Sequence, residues 1–151
     1  MPATAARTVK AKKEPRFVDT NILVCSFDSS DPKKQKVARQ LLDELMESDR
    51  LRLSTQVLQE LFVTLTHKVK TPCSSQRALE VMEDLAAWPV SLIDFKAIKT
   101  AIGLAGEAKI SFWDALVVVA AADAGATVLY TEDLTDGLEI LGVRITNPFK
   151  G

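Results

Sequence analysis

The strongest constraint on the fold is an alternation of short apolar runs with longer segments of helical periodicity. Strands are predicted at five short runs, which are residues 16–18, 51–53, 88–93, 127–130 and 143–145. Apolar residues at helical spacing predict helices that begin at Pro32 and after Ser54, and others across 78–85, 95–106 and 112–124. This alternation is typical of an α/β domain. We therefore predict a three-layer α/β/α sandwich around a mostly parallel central sheet.

The most apolar of these segments, residues 112–124, predicts a helix that is buried on most of its sides. Ser111 precedes it as a helix-start residue, and Gly125 ends it. Its longest uninterrupted apolar run, residues 115–122, is far shorter than the roughly 18 residues that are needed to span a membrane. We therefore expect no transmembrane segment and no membrane partner.

The composition indicates one globular domain. The chain has 151 residues, of which 47% are hydrophobic and 26% are charged, and this balance supports one sizeable core. Cys25 and Cys73 are far apart in the sequence and form no CxxC or Cys/His motif. We therefore expect neither a zinc site nor a disulfide framework, and two free thiols instead.

The net charge of −1 hides a basic N-terminus. Residues 1–15 are predicted to be a basic, flexible extension, and residues 16–151 to be the folded domain. Such an extension either contacts nucleic acid or is a solvated terminus. Because it has no apolar stretch of the kind found in secretory signal peptides, we expect a cytoplasmic protein. The rest of the chain is acidic, which argues against nucleic-acid binding through broad charge neutralisation.

Four acidic residues lie where predicted strands end or where the following helices begin. Asp19 follows the first strand, Glu60 lies early in the helix after the second, and Asp133 follows the fourth. Asp114 lies in the first turn of the apolar helix. Open α/β sheets bind ligands beyond the carboxyl ends of their strands, so these acids are candidate site residues. Asp114 also has a structural interpretation, because with Ser111 it matches a capping box.

Carboxylates that converge in one cleft require a compensating cation, because each negative charge disfavours the next. Oxygen ligands suit Mg²⁺ or Mn²⁺, and a set without His or Cys argues against zinc. A divalent ion in such a site lowers the pKa of a water nucleophile and stabilises charge on a phosphate. The four acids therefore predict a Mg²⁺ or Mn²⁺ site suited to phosphodiester hydrolysis.

The same acids stand in four sequence blocks that together match a known pattern. The blocks are Phe17-Val18-Asp19-Thr20-Asn21, Gln59-Glu60-Leu61, Ser111-Phe112-Trp113-Asp114-Ala115-Leu116 and Tyr130-Thr131-Glu132-Asp133-Leu134. In their order and spacing they resemble the PIN-domain ribonucleases. The ending Asn147-Pro148-Phe149 is similar to that of many VapC-type toxins. The resemblance spans residues 16–149.

This resemblance implies a metal-dependent endoribonuclease that cleaves RNA as the toxin of a type II toxin–antitoxin pair. It implies that Mg²⁺ or Mn²⁺ is held, and the attacking water oriented, by Asp19, Glu60, Asp114 and Asp133. The supporting hydrogen-bonding residues would be Thr20, Asn21 and Thr131. Glu132 and Asp136 lie close to Asp133, and we assign the metal-facing role to Asp133. The implied partners are an RNA substrate, a VapB-like antitoxin and a second copy of the chain in a homodimer.

Other functions are also compatible with these residues. A housekeeping PIN nuclease in RNA processing or decay would use the same chemistry. A noncatalytic α/β binding module would use the acids only to cap helices. An aspartyl-phosphate enzyme with Asp19 as its nucleophile is disfavoured, because Asn21 stands where the common phosphatase pattern has a second Asp.

Basic residues crowd the start of the helix that begins at Pro32, namely Lys33, Lys34, Lys36 and Arg39. They either bind RNA phosphates or form a solvated face. Phosphate contacts would position RNA without reading its sequence. Trp113, beside Asp114, is expected in the core rather than stacked on a base. His67 is expected to have a surface or packing role.

Overall fold

The computed structural model describes residues 13–150, which contain a six-stranded sheet. In chain order the strands are β1 (Arg16–Val18), β2 (Leu51–Ser54), β3 (Val90–Ser91), β4 (Val128–Tyr130), β5 (Glu139–Ile140) and β6 (Val143–Thr146). Across the sheet the order is β3-β2-β1-β4-β6-β5. All neighbours are parallel except β5, which runs antiparallel to β6. The expected mostly parallel central sheet is confirmed.

Six α-helices surround this sheet within the described residues. They are α1 (Thr20–Phe27), α2 (Pro32–Glu47), α3 (Thr55–Val63), α4 (Ser75–Leu85), α5 (Phe95–Ala108) and α6 (Phe112–Asp123). A π-helical turn, Thr64–Lys68, continues α3. None of the described helices is long and apolar enough to cross a membrane.

The order of the strands reverses in the middle of the sheet. The crossovers from β1 to β2 and from β2 to β3 run in one direction, whereas the crossover from β3 to β4 returns past β1. Because parallel crossovers are right-handed, α1 to α4 cover one face and α5 and α6 cover the other. This is the predicted three-layer sandwich. The reversal lies between β1 and β4, and a ligand site is therefore expected at the carboxyl ends of these two strands.

Every described α-helix begins at a polar residue whose side chain accepts a hydrogen bond from a backbone N–H of the first turn. These capping residues are Asp19, Asp31, Ser54, Ser74, Asp94 and Ser111. Each cap satisfies a donor that the helix itself leaves unpaired. The helix starts predicted at Ser54 and Ser111 are confirmed.

Two short elements were not predicted from the sequence, and one is shorter than expected. Helix α1 is rich in β-branched and small polar residues with weak helix propensity, and it is stabilised by the burial of Ile22 and Leu23. Strand β5 has only two residues and exists through its pairing with β6. The run at 88–93 forms only the two-residue strand β3.

The core centres on α6, as its composition predicts. Residues 115–121 are all buried, and α6 packs on β2, β4 and β6 and against α5.

Both cysteines are free thiols, as expected. Of the predicted N-terminal extension, residues 1–12 lie outside the described residues. Pro15, at its end, accepts a hydrogen bond at 3.2 Å from the backbone N–H of Thr127.

Two glycines are expected to respond in opposite ways to substitution by alanine. Gly125 follows α6 with φ +74°, where a Cβ is strained, so Gly125→Ala should lower the free energy of unfolding by about 1 kcal/mol. Gly103 lies inside α5, and an added Cβ there meets no atom within 4 Å. Gly103→Ala should raise the free energy of unfolding by about 0.5–1 kcal/mol. Urea denaturation measures both, and equal effects of the two substitutions would contradict this explanation.

Candidate acidic active site

Three of the four predicted acids line one open cleft at the point where the strand order reverses. Asp19 follows β1, Asp133 lies beyond β4, and Glu60 projects from α3. The cleft has a volume of about 700 Å³. Asp114, in the first turn of α6, is not among its lining residues. The structure therefore brings Asp19, Glu60 and Asp133 to one cleft and leaves Asp114 outside its lining, close enough for the charge of Asp133 to act on it.

Asp19 is the most enclosed of these acids, with 6% of its surface exposed. Its backbone N–H donates to the carbonyl of Tyr130 at 3.0 Å, which fixes the end of β1 against β4. Its Oδ1 accepts a hydrogen bond from the backbone N–H of Thr20 at 2.7 Å, and its Oδ2 accepts one from Thr131 Oγ1 at 2.8 Å. Both carboxylate oxygens are therefore held in place before any ligand arrives.

Thr131 is the centre of the polar network around Asp19. It is fully buried, and besides donating to Asp19 its hydroxyl accepts from Asn21 Nδ2 at 3.2 Å and from the backbone N–H of Asp133 at 3.1 Å. Thr20 Oγ1 lies 3.2 Å from Glu60 Oε1. The three residues expected to give support by hydrogen bonding thus all contact the acids or one another.

The environment of Asp19 strongly disfavours its charged form. Its pKa is raised from 3.8 to about 7. Burial is the main cause, and the charges of Asp133 and Glu60 also raise the pKa, whereas the hydrogen bonds from Thr131 and Thr20 lower it. The pKa of Asp114 is also raised, first by burial and then by Asp133, while its interaction with Ser111 lowers it. Asp133 therefore links Asp19 and Asp114 electrostatically.

The capping interpretation accounts for only part of Asp114. Ser111 Oγ accepts a hydrogen bond at 3.0 Å from the backbone N–H of Asp114, and this bond caps α6. The cap uses the backbone of Asp114 and does not require its carboxylate. The carboxylate of Asp114 also interacts with Ser111, which lowers its pKa, and it lies close enough to Asp133 to respond to that charge.

The two acids closest to Asp133 in the sequence have other partners. Glu132 Oε2 lies 2.7 Å from Lys34 Nζ in an ion pair. Asp136 Oδ1 accepts a hydrogen bond at 2.7 Å from the backbone N–H of Asn147, which ties it to the C-terminal segment. Asp133 is the acid of this group whose charge acts on Asp19. These contacts agree with the assignment of the metal-facing role to Asp133.

The four basic residues of α2 do not share one environment. Lys34 lines the cleft, whereas Lys33 and Lys36 are exposed outside it. Arg39 donates through Nε to the carbonyl of Ser26 at 2.8 Å, which joins α2 to α1. The structure also places Lys68, from the π-helical turn, at the cleft. Sequence reasoning missed Lys68, because only the fold brings the end of α3 to the acids.

Trp113 and His67 are both at the surface. Trp113 is 61% exposed, so the expectation that it lies in the core is wrong. It sits in the first turn of α6, before the buried stretch of residues 115–121. His67 is exposed, as expected, and its Nδ1 lies 2.8 Å from Thr66 Oγ1.

The donor chemistry of the cleft fits a hydrated divalent cation. Among residues 13–150, no group of three or more Asp, Glu, His or Cys side chains is placed to hold a metal ion. Mg²⁺ does not need such a group, since it commonly keeps several waters and takes one or two carboxylates. Asn21 Oδ1 is buried at this cleft without a hydrogen-bond partner among the described residues, so it can accept from a water.

The fold and site together define an open α/β domain with a carboxylate cleft at its topological switch point. The family profile of the PIN domain matches residues 16–135. The chain therefore belongs to the PIN-domain family, as the sequence blocks suggested.

Solved structures of the same fold include toxins and toxin–antitoxin complexes. A toxin–antitoxin complex from Klebsiella pneumoniae superposes with a TM-score of 0.65 at 20% identity, covering 88% of this chain and 97% of that one. VapBC2 from Rickettsia felis, bound to a promoter DNA fragment, superposes with a TM-score of 0.63 at 21% identity, covering 87% of this chain and 97% of that one. VapC20 from Mycobacterium tuberculosis, a toxin that cleaves the sarcin-ricin loop, superposes with a TM-score of 0.59 at 18% identity, covering 76% of this chain and 86% of that one. Curated protein sequences give no significant match.

Proposed function

We propose that this chain is a divalent-metal-dependent endoribonuclease that acts as the toxin of a type II toxin–antitoxin pair. The observation that carries the proposal is Asp19, a buried carboxyl whose pKa is raised to about 7, at the strand-order reversal with Glu60 and Asp133. Perturbed carboxyl groups of this kind cluster at functional sites. Membership of the PIN-domain family and the toxin structures of the same fold support the nuclease and toxin assignments.

The residues proposed to hold Mg²⁺ or Mn²⁺ are the four acids Asp19, Glu60, Asp114 and Asp133. Such an ion, when bound, activates a water nucleophile and stabilises charge on the phosphate. Thr131 and the backbone of Thr20 orient the Asp19 carboxylate, while Asn21 holds Thr131 in position. We propose that Lys34 contacts an RNA phosphate within the cleft and that Lys33 and Lys36 contact phosphates beyond its edge.

The proposed partners follow from the same assignment. A nuclease toxin must be restrained in the cell, and we propose a VapB-like antitoxin, a homodimeric toxin and a cytoplasmic location. Two of the similar structures are complexes of VapB and VapC. A housekeeping PIN nuclease would have the same cleft, and expression of the chain alone distinguishes the two: a toxin arrests growth, and coexpression of its antitoxin restores it.

Metal binding is expected to stabilise the folded protein. At a metal concentration about 100 times the dissociation constant, the free energy of unfolding should rise by about 2.7 kcal/mol, which raises the thermal midpoint by roughly 5–10 °C. Asp19→Asn should lose this shift together with cleavage of a structured-RNA pool. Differential scanning calorimetry with Mg²⁺ or Mn²⁺ measures the first effect, and gel analysis of the RNA measures the second.

Asp94→Asn is a matched control for that experiment. Asp94 caps α5 away from the cleft, and asparagine caps helices equally well, so this variant should keep both the metal shift and cleavage. If neither ion moves the midpoint of folded, antitoxin-free wild type, and no RNA is cut, the nuclease proposal is wrong and a noncatalytic binding module replaces it.

A further inference from the structure

An ion pair spans the edge of the acidic cleft and joins two distant parts of the chain. Lys34, in the first turn of α2, lies 2.7 Å from Glu132, which follows β4, and both residues line the same cleft as Asp19. The Lys34 Nζ also lies 5.1 Å from the centre of the Phe149 ring. The ammonium is therefore held at the cleft by an acid on one side and an aromatic ring on the other.

The charges of the cleft make this lysine important for a polyanion. Its acidic lining residues are Asp19, Asp28, Asp31, Glu60, Glu132 and Asp133. Within residues 13–150, the basic residues that line the cleft are Lys34 and Lys68. An RNA phosphate entering the cleft meets an excess of negative charge, and one of the two available cations is already paired with Glu132.

Resting on the proposed ribonuclease function, we propose that Glu132 occupies the place of an RNA phosphate. In the RNA-free protein its carboxylate binds Lys34, and when RNA enters, a backbone phosphate takes Lys34 from it. Glu132 is then a competitor of the substrate and not a metal ligand.

The geometry suits such an exchange. The side chains of Lys34 and Glu132 are 39% and 26% exposed, so water and a ligand can reach the pair. Partly exposed ion pairs contribute little to stability, and a phosphate offers the same charge-assisted hydrogen bond as a carboxylate. Phe149 keeps the ammonium at the cleft after Glu132 releases it.

The test measures binding of a fluorescein-labelled single-stranded RNA of random sequence by anisotropy, with every variant made in the uncleaving Asp19→Asn background. Glu132→Gln should tighten binding by about 2- to 5-fold, because it removes the competitor. Lys34→Ala should weaken binding by roughly 3- to 10-fold and reduce the salt slope by about 0.7. In the double variant, the gain from Glu132→Gln should disappear.

Cleavage kinetics in the active background give a second readout. Glu132→Gln should lower KM by the same about 2- to 5-fold and leave kcat within about 2-fold, because uniform binding changes KM alone. Glu80→Gln is the matched control, since it removes the same charge from the exposed Arg77–Glu80 pair outside the cleft. It should change neither RNA binding nor KM.

Several outcomes would overturn the inference. A gain that persists in the double variant would mean that Glu132 only repels RNA through its charge. Weaker binding in Glu132→Gln would mean that Glu132 positions Lys34. Loss of the metal-induced thermal shift when Glu132→Gln is made alone, with Asp19 intact, would make Glu132 a metal ligand. These failures differ from failure of the ribonuclease proposal, in which the wild type itself cuts no RNA.

Discussion

Asp19→Asn is expected to reduce RNA cleavage by at least about 100-fold while making the metal-free protein more stable above neutral pH. The loss of cleavage follows because asparagine cannot supply a charged oxygen to a cation at the centre of the acid group. The gain in stability follows because burial of the Asp19 carboxylate disfavours its charged form, and asparagine has no charge to bury.

The pH dependence of this gain has a definite sign. The pKa of Asp19 rises from 3.8 in the unfolded chain to about 7 in the folded protein. Between these values the folded protein retains a proton that the unfolded chain releases. The stabilisation from protonated Asp19 is therefore complete below about pH 4, and it is lost as the pH rises to about 7.

Urea denaturation in EDTA measures the effect. The stability difference between Asp19→Asn and wild type should widen from near zero at about pH 4 to about 4 kcal/mol at about pH 8. Asp94→Asn, at an acid that caps α5 away from the cleft, should show no such widening. A difference that stays constant with pH would contradict the raised pKa of Asp19, whatever happens to cleavage.

Thr131→Val is expected to have the second largest effect. Valine has nearly the same shape as threonine but no hydroxyl, so it removes the partner of Asp19 Oδ2, of Asn21 Nδ2 and of the Asp133 backbone N–H. Thr131 is fully buried and Asp19 is 6% exposed, so the Asp19 oxygen gains little from water when the hydroxyl is removed. We expect the free energy of unfolding to fall by about 2–3 kcal/mol, and the thermal midpoint by roughly 5–10 °C.

Thr131→Ser separates the hydroxyl from the methyl group. Serine keeps the hydrogen bonds and loses only the buried methyl, so its stability should fall by about 1 kcal/mol and its cleavage should stay near that of wild type. Thr131→Val should reduce cleavage at least about 10-fold, because the Asp19 carboxylate loses one of its two orienting bonds. Equal cleavage by both variants would show that Thr131 does not position Asp19.

Patterns with a short period in the sequence predicted most of the architecture. The sequence predicted the apolar character of α6, its start at Ser111 and its end before Gly125. These features depend only on neighbours within one or two turns of the helix. Helix α1 was not predicted from the sequence, because its residues have weak helix propensity and its stability comes from the burial of Ile22 and Leu23. The same limit applies to Trp113. The apolar composition of α6 suggested that this residue lies in the core, but its side chain, in the first turn of the helix, is exposed to solvent.

The sequence placed Asp19, Glu60, Asp114 and Asp133 at the ends of strands or the starts of helices, and parallel strands necessarily bring such ends to one edge. The sequence alone did not determine which of these carboxyl groups has a raised pKa, or which hydrogen bonds and ion pairs the neighbouring side chains form. Those properties depend on burial and on contacts between distant residues, such as Thr131 with Asp19 and Lys34 with Glu132. Desolvation and pairing act over a few ångströms in space, so only the folded chain determines them.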